Sequence, residues 1–307
     1  MANEVLNTGA TSLASGNWKT LAGAAGSGFV DDAELIIQNG TQAITSDITW
    51  TALTNGIKNL DISSGFSGNV AGTSGSLAFQ TRNSLFSQTT QLPRVRYEAS
   101  GGSLYYTAEN ASANDECHYL QVNGGGFLYV TGTCSVRRLE LQAGRVFVSQ
   151  NVGSTANYRW VFTGGVGTID VVNSGGTNDI HALTITGGQH LLKRGIQGTT
   201  VTAGSRTEGL TVAGGNVTVD AGSRNLSAVT VTGGQLVVLN AGNPDTGTPT
   251  AGITNLLALG GTIDFSRLQR PMTVTLVEDA PSCVIIPSKL LTITTRNAIG
   301  RGADGLN

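Results

Sequence analysis

Charge is scarce in this chain. Only 12% of its 307 residues are Asp, Glu, Lys or Arg, and the formal net charge is −2. The isoelectric point is about 5.9 and no basic run is present. A nucleic-acid partner is therefore not expected, because binding phosphates needs clustered Lys and Arg. Cysteine is nearly absent too. Cys117, Cys134 and Cys283 are an odd set without a CxxC pair, which argues against a disulfide framework and against zinc. Free buried thiols are the expectation, with a Cys117–Cys134 bridge as the alternative. Six prolines and no Gly-X-Y period exclude collagen, and apolar residues spread throughout argue against disorder. No run is apolar enough to span a membrane. The start, M-A-N-E-V-L-N-T-G, lacks a basic region followed by a long apolar stretch, so no secretory signal is expected.

Glycine is plentiful, with 43 residues, and it is placed periodically. In Leu210–Asp220, L-T-V-A-G-G-N-V-T-V-D, apolar and small polar residues alternate up to a glycine pair and resume beyond it. The same form returns at residues 183–193 and 229–239. Taking the last small residue of each turn as an anchor gives Gly102, Gly125, Gly144, Gly165, Gly188, Gly215, Gly234 and Gly261. Their spacings run from 19 to 27 residues. Such a period is the signature of a repeat architecture.

Alignment on these anchors produces apolar columns. Five residues before them stand Tyr97, Leu120, Leu139, Trp160, Leu183, Leu210, Val229 and Leu256. Three before stand Ala99, Val122, Leu141, Phe162, Ile185, Val212, Val231 and Ala258. Two after stand Leu104, Phe127, Val146, Gly167, His190, Val217, Leu236 and Ile263. Four after stand Tyr106, Tyr129, Val148, Ile169, Leu192, Val219, Val238 and Phe265. A period of two means strands with one inward face. Agreement between units means that like positions stack, each rung completing the burial of its neighbours.

The expected fold class is all-β: a parallel β-helix, or β-solenoid, with glycine at its corners. Residues 1–33 read as an N-terminal arm or cap anchored by Trp18. Residues 34–266 read as the solenoid, beginning at Glu34–Gly40 and Leu60–Gly65, with Leu77–Phe79 as a further strand. Residues 267–307 read as a C-terminal cap or subunit contact, because Pro271, Pro281 and Pro287 interrupt its strands. Inserts such as 194–205 are expected to project outward.

Few motifs carry chemistry. Residues 164–170, G-G-V-G-T-I-D, approach a calcium nonapeptide, but Ile169 stands where the ligand Asp belongs and Asp170 comes one later. One step reverses the face of a strand, so calcium is not expected. Gly23–Gly28 is merely glycine-rich. His118, His181 and His190 are scattered. His190 lies in an inward column and reads as a core histidine with a local hydrogen bond.

Asp170, Lys193 and Asp220, each five after an anchor, are expected to stack as a self-neutralising ladder. Read functionally, the two carboxylates would lie about 9–10 Å apart, near the limit for an inverting glycosidase. Lys193 between them would hold both ionised, which is wrong for a general acid. Asp31, Asp32 and Glu34, and Asp115 with Glu116, read as solvated turns. Arg94, Arg96, Arg137, Arg138 and Arg159 form a loose basic band, with Arg96, Arg138 and Arg159 expected in one column. Tyr97, Tyr105, Tyr106, Tyr119, Phe127 and Tyr129 gather on two rungs, either stacking or forming an outward contact for carbohydrate or protein. No residue is assigned a catalytic, cofactor-binding or metal-binding role.

The opening N-T-G-A-T-S-L-A-S-G-N-W, then L-I-I-Q-N-G-T-Q-A-I-T, and above all N-L-D-I-S-S-G-F-S-G-N-V-A-G-T-S-G-S-L resemble β-helical virion proteins of tailed bacteriophages. That resemblance covers roughly the first 80 residues. The style is also similar to autotransporter passenger domains. The phage resemblance implies a non-enzymatic component of a virion, assembled in the host cytoplasm. Its leading form is a capsid decoration or cement protein, a homotrimer whose N-terminal region docks on the major capsid protein. The alternatives are a tail fibre or tailspike that binds or cleaves a surface glycan, and a bacterial adhesin. Far-UV circular dichroism should show strand and almost no helix; a substantial helical signal would refute the solenoid.

Overall fold

The structure is a computed structural model. It describes residues 3–13, 15–28, 30, 33–44, 59–70, 94–107, 116–133, 135–151, 159–170, 182–194, 209–220, 226–241 and 252–299. Leu77–Phe79, Cys134, His181, the acidic pair Asp31–Asp32, Asp115 and residues 195–205 lie outside these. Among the described residues there is no α-helix, and Ser15–Asn17 is a single turn of 3-10 helix. The chain is a β-solenoid, as the periodicity predicts, and it divides into two compact units, residues 1–156 and 157–307.

In the first unit the strands before the corners stack in parallel. Leu35, Leu60, Val95, Leu120 and Leu139 form one inward column, and Ile37, Ile62, Tyr97, Val122 and Leu141 form the next. All ten side chains are buried. Beyond the corners Ile44, Val70 and Leu104 bridge in parallel, and Leu104 continues to Leu128 and Val146. Glu34–Gly40 and Asn59–Phe66 are therefore true rungs despite their degenerate repeat. The N-terminal arm folds back on itself. Glu4–Leu6 pairs antiparallel with Trp18–Thr20 and parallel with the first rung. Trp18 is buried and its indole N–H donates to the Leu13 carbonyl at 3.0 Å. The Glu4 carboxylate accepts the backbone N–H of Ser27 at 2.8 Å and of Gly28 at 2.6 Å.

In the second unit Trp160, Leu183, Leu210, Val229 and Leu256 stack in register, followed by Val277. Past the corners Gly167, His190, Val217, Leu236, Ile263 and Ile285 share a column. The parallel ladder runs on into the proline-bearing end. Met272–Asp279 pairs with Ile253–Ala258, and Leu291–Ala298 pairs with Met272–Asp279. Pro271, Pro281 and Pro287 all fall in connections between strands, where no ladder donor is lost.

Two expected registers are corrected. Tyr97 pairs with Val122, not Leu120, and Val95 takes the Leu120 position. The corner after Tyr97 is wider than the two-glycine corners and buries Ala99 in the extra space, just as the preceding rung buries Phe66. A two-residue offset keeps the same face inward, so the periodicity alone could not reveal it. The second correction is at Gly124–Gly126. This corner holds one residue more than the two-glycine corners, so Leu128 is inward while Phe127 is half-buried. Tyr129 then shares its column with Tyr105 and Phe147, and Val130 takes the place beside Val148. Here the offset is odd, which reverses the face.

Seven of the eight anchor glycines have left-handed backbones, with φ from 69° at Gly165 to 85° at Gly188; Gly125 is the one that does not. Gly215 shows why the corner demands glycine. Its φ is +72°, and an added Cβ would lie 2.7 Å from backbone atoms of Gly187 and Gly188 on the rung beside it. The backbone strain and the clash act together. Gly215→Ala should cost about 1–3 kcal/mol, whereas exposed Thr186→Ala should stay within about 0.5 kcal/mol. Chemical denaturation of the two variants measures the difference.

Candidate functional site

A concavity on the outer surface lies on the second unit. It is an open groove of about 480 Å³ along the strands that follow the glycine corners. The position immediately after each corner contributes Gln189, Asn216 and Gln235, which are exposed and successive in the parallel register. The next outward position contributes Thr168, Leu191, Thr218 and Val237, all half-buried. Arg267 lies at the far end and is the only charged residue lining the groove among the described residues. Its guanidinium comes within 3.9 Å of the Asp264 carboxylate.

Asp264 itself follows Val237 in the outward column of the parallel register and is 7% exposed. It accepts hydrogen bonds from the Ser266 hydroxyl at 2.6 Å and the Ser266 backbone N–H at 2.8 Å. The hydroxyl bond, then the backbone bond and Arg267, hold its carboxyl below the ordinary Asp range against the opposing effect of burial. An ionised Asp264 that closes the turn is a structural group.

Beneath the groove is His190, 4% exposed, with Nε2 2.8 Å from the Gly187 carbonyl. This is the core histidine with a local bond that the sequence led us to expect. Its ring lies 5.0 Å from that of Phe162, tilted by 39°. In its column the preceding residue is Gly167, which leaves room for a ring. Nδ1 is buried without a hydrogen-bond partner. Burial lowers the imidazole pKa below its usual value, and the Gly187 bond only partly offsets this.

The expected charge ladder is not formed. A register shift after Ile169 pairs Asp170 with Arg194, and a second shift after Val219 pairs Asp220 with Asn240. The Asn240 amide donates to Asp220 at 2.7 Å and to Gln269 at 3.1 Å. Arg194 rather than Lys193 is thus the register partner of Asp170, and Lys193 is not the central member of an Asp–Lys–Asp column. Irregularity at the strand ends, invisible to a count from the anchors, is the cause.

The basic band is also rearranged. Arg96 stands in the column of Asp61, Gln121 and Glu140, while Arg138 shares a column with Arg94. Arg96 holds Asp61 through two bonds of 3.0 and 3.3 Å, and Arg138 pairs with Glu140. The same two-residue offset that moves Tyr97 moves Arg96. Tyr97 is fully inward; its hydroxyl meets the Gly101 carbonyl at 3.3 Å, and burial pushes its pKa up to about 12.

Cys283 is a free, half-buried thiol whose pKa is raised by burial and by Asp279. Among the described residues no cluster of His, Cys, Asp and Glu is suited to a metal ion, and no helix is long and apolar enough to cross a membrane.

A further feature lies at the C-terminal rung. Cys283–Ile286 and Leu291–Ala298 each pair with one strand, and no second strand covers them among the described residues. Their inward positions Ile285, Leu291 and Ile293 are only half-buried, and Val284 is 57% exposed. Ile286 and Leu290 are exposed beside them. Bidentate bonds of 2.8 and 2.9 Å between Arg296 and Asp279 brace this rung. The amide column and the open rung were both missed in the sequence. The first was present as the position following each anchor; the second needs burial to be seen.

Comparison with known protein families, with curated proteins and with solved structures finds no match to this chain.

His190 should make stability sensitive to acid. Its folded pKa is depressed, so the unfolded chain takes up a proton first, below about pH 6.5. Its contribution is complete above that pH and declines as pH falls toward the folded value. Between about pH 7.5 and 5 this contribution should lower Tm. His190→Leu should flatten that part of the profile in thermal scans.

Proposed function

We propose that this chain is a non-enzymatic structural protein of a phage particle: a capsid decoration or cement protein that projects a β-solenoid. The observation that supports this is the contrast between its terminal rungs. The first rung is covered by the Glu4–Leu6 and Trp18–Thr20 pair, with Trp18 buried beneath. The last rung leaves strand edges and apolar side chains uncovered among the described residues. Uncovered edges and apolar groups are points of attachment, because pairing and burial there release free energy that water does not supply.

On this reading the docking surface is Cys283–Ile286 and Leu291–Ala298 rather than the N-terminal region. The partners are the major capsid protein and copies of this chain, assembled as a homotrimer in the virion. Rim pairs such as Arg296–Asp279 set orientation, while Ile285, Leu291 and Ile293 supply the buried area.

The test is cosedimentation with purified shells of the parent phage lacking this protein, with light scattering for the oligomer. The wild-type chain should cosediment as a trimer. Ile293→Asp should weaken shell binding at least about tenfold while thermal melting stays near wild type. Labelling of the tail rather than the shell, seen in particle images, would overturn the assignment.

A further inference from the structure

We infer that the groove over Gln189, Asn216 and Gln235 binds an extended, neutral, unbranched polysaccharide lying along the coil axis. The inference does not rest on the capsid reading, and it is tested on the isolated chain.

Three observations carry it. The first is periodicity. Gln189, Asn216 and Gln235 are successive partners in the parallel ladder, so their amides repeat at the strand spacing of about 4.8 Å. That interval is comparable to the advance per residue of an extended pyranose chain. Three rungs therefore present one amide to each of three successive sugars.

The second is unused bonding capacity. These exposed side chains make no hydrogen bond to one another or to other groups among the described residues. Each amide brings two N–H donors and a carbonyl acceptor, which matches vicinal sugar hydroxyls able to accept and donate. Backbone N–H groups of the same residues are already committed; Gln189 donates to Gly165 and Asn216 to Gly188, each within 3.0 Å. The side chains are held on a rigid ladder with their polar ends left for a ligand.

The third is the floor. Thr168, Leu191, Thr218 and Val237 alternate hydroxyl-bearing and aliphatic side chains from rung to rung. A sugar ring has a C–H face and a hydroxyl edge, and an alternating floor accepts both. The groove volume of about 480 Å³ lies within the range of sites that hold small ligands. Among the described residues no carboxylate is in the lining; Asp264, which follows Val237 in the floor column, is 7% exposed and bonded to Ser266, with Arg267 beside it at that end. The lining thus favours an uncharged polymer. It also offers no acid and base pair across the ligand, so the bound chain is held without cleavage.

The experiment is titration calorimetry of the full chain with unbranched hexasaccharides of glucose, mannose, galactose and N-acetylglucosamine, with an oligogalacturonate as the anionic arm. At least one neutral hexasaccharide should bind, and its disaccharide should bind at least about tenfold more weakly because it reaches fewer rungs. Binding should be unchanged between low and high salt. The triple variant Gln189→Leu, Asn216→Leu, Gln235→Leu should retain its circular dichroism and lose at least about tenfold in affinity. Arg267→Ala should bind as wild type. The inference is overturned if no neutral hexasaccharide binds, if the triple variant binds equally well, or if only the oligogalacturonate binds in a salt- and Arg267-dependent way.

Discussion

Parallel, in-register stacking of inward side chains is the constraint on which the rest of this molecule depends. A single rung such as Leu210–Asp220 exposes both edges of its inward row. Leu210 is buried because Leu183 and Val229 lie on either side of it, and each of those depends on a further neighbour. Burying an aliphatic side chain in this way contributes about 1.5–3 kcal/mol, and the stacked strands satisfy each other's backbone groups at the same time. The corners follow from this. Rungs one strand spacing apart leave no room for Cβ atoms where the chain turns, so Gly188, Gly215 and Gly234 nest backbone against backbone.

The same stacking organises the outer surface. When inward positions align, outward positions align with them, and any side chain that recurs becomes a column. Acid–base pairs such as Arg96 with Asp61 arise from such alignment and neutralise a face locally. The uncharged column of Gln189, Asn216 and Gln235 arises in the same way and underlies the glycan site that we propose. Column formation costs no additional folding free energy, since the ladder already exists. A repeat fold can therefore acquire a linear binding surface through changes at exposed positions alone.

Irregularities decide which groups meet. The extra residue in Gly124–Gly126 moves Leu128 inward and aligns Tyr129 with Tyr105 and Phe147. The shift after Ile169 sets Arg194 rather than Lys193 beside Asp170, which breaks the anticipated Asp170–Lys193–Asp220 column, and a shift after Val219 sets Asn240 beside Asp220. In each case a single inserted or skipped residue outweighs the repeat pattern, because strand side chains alternate with a period of two. The open C-terminal rung, which supports the proposed attachment end, is likewise a matter of which strand has a second neighbour.

The sequence by itself determined the class of fold, the inward columns of the second unit, the glycine corners and the placement of His190 in the core. It could do so because a two-residue period and a recurring glycine are local properties that neighbouring rungs repeat many times. Tertiary structure alone decided the register of Tyr97 and Arg96, the widened corners that bury Phe66 and Ala99, and the loss of the charge ladder. It also decided which outward residues line a groove and which rung lacks a second neighbour among the described residues. These depend on corner width and on the presence of a neighbouring strand, and neither quantity is written in the alternation of any one strand.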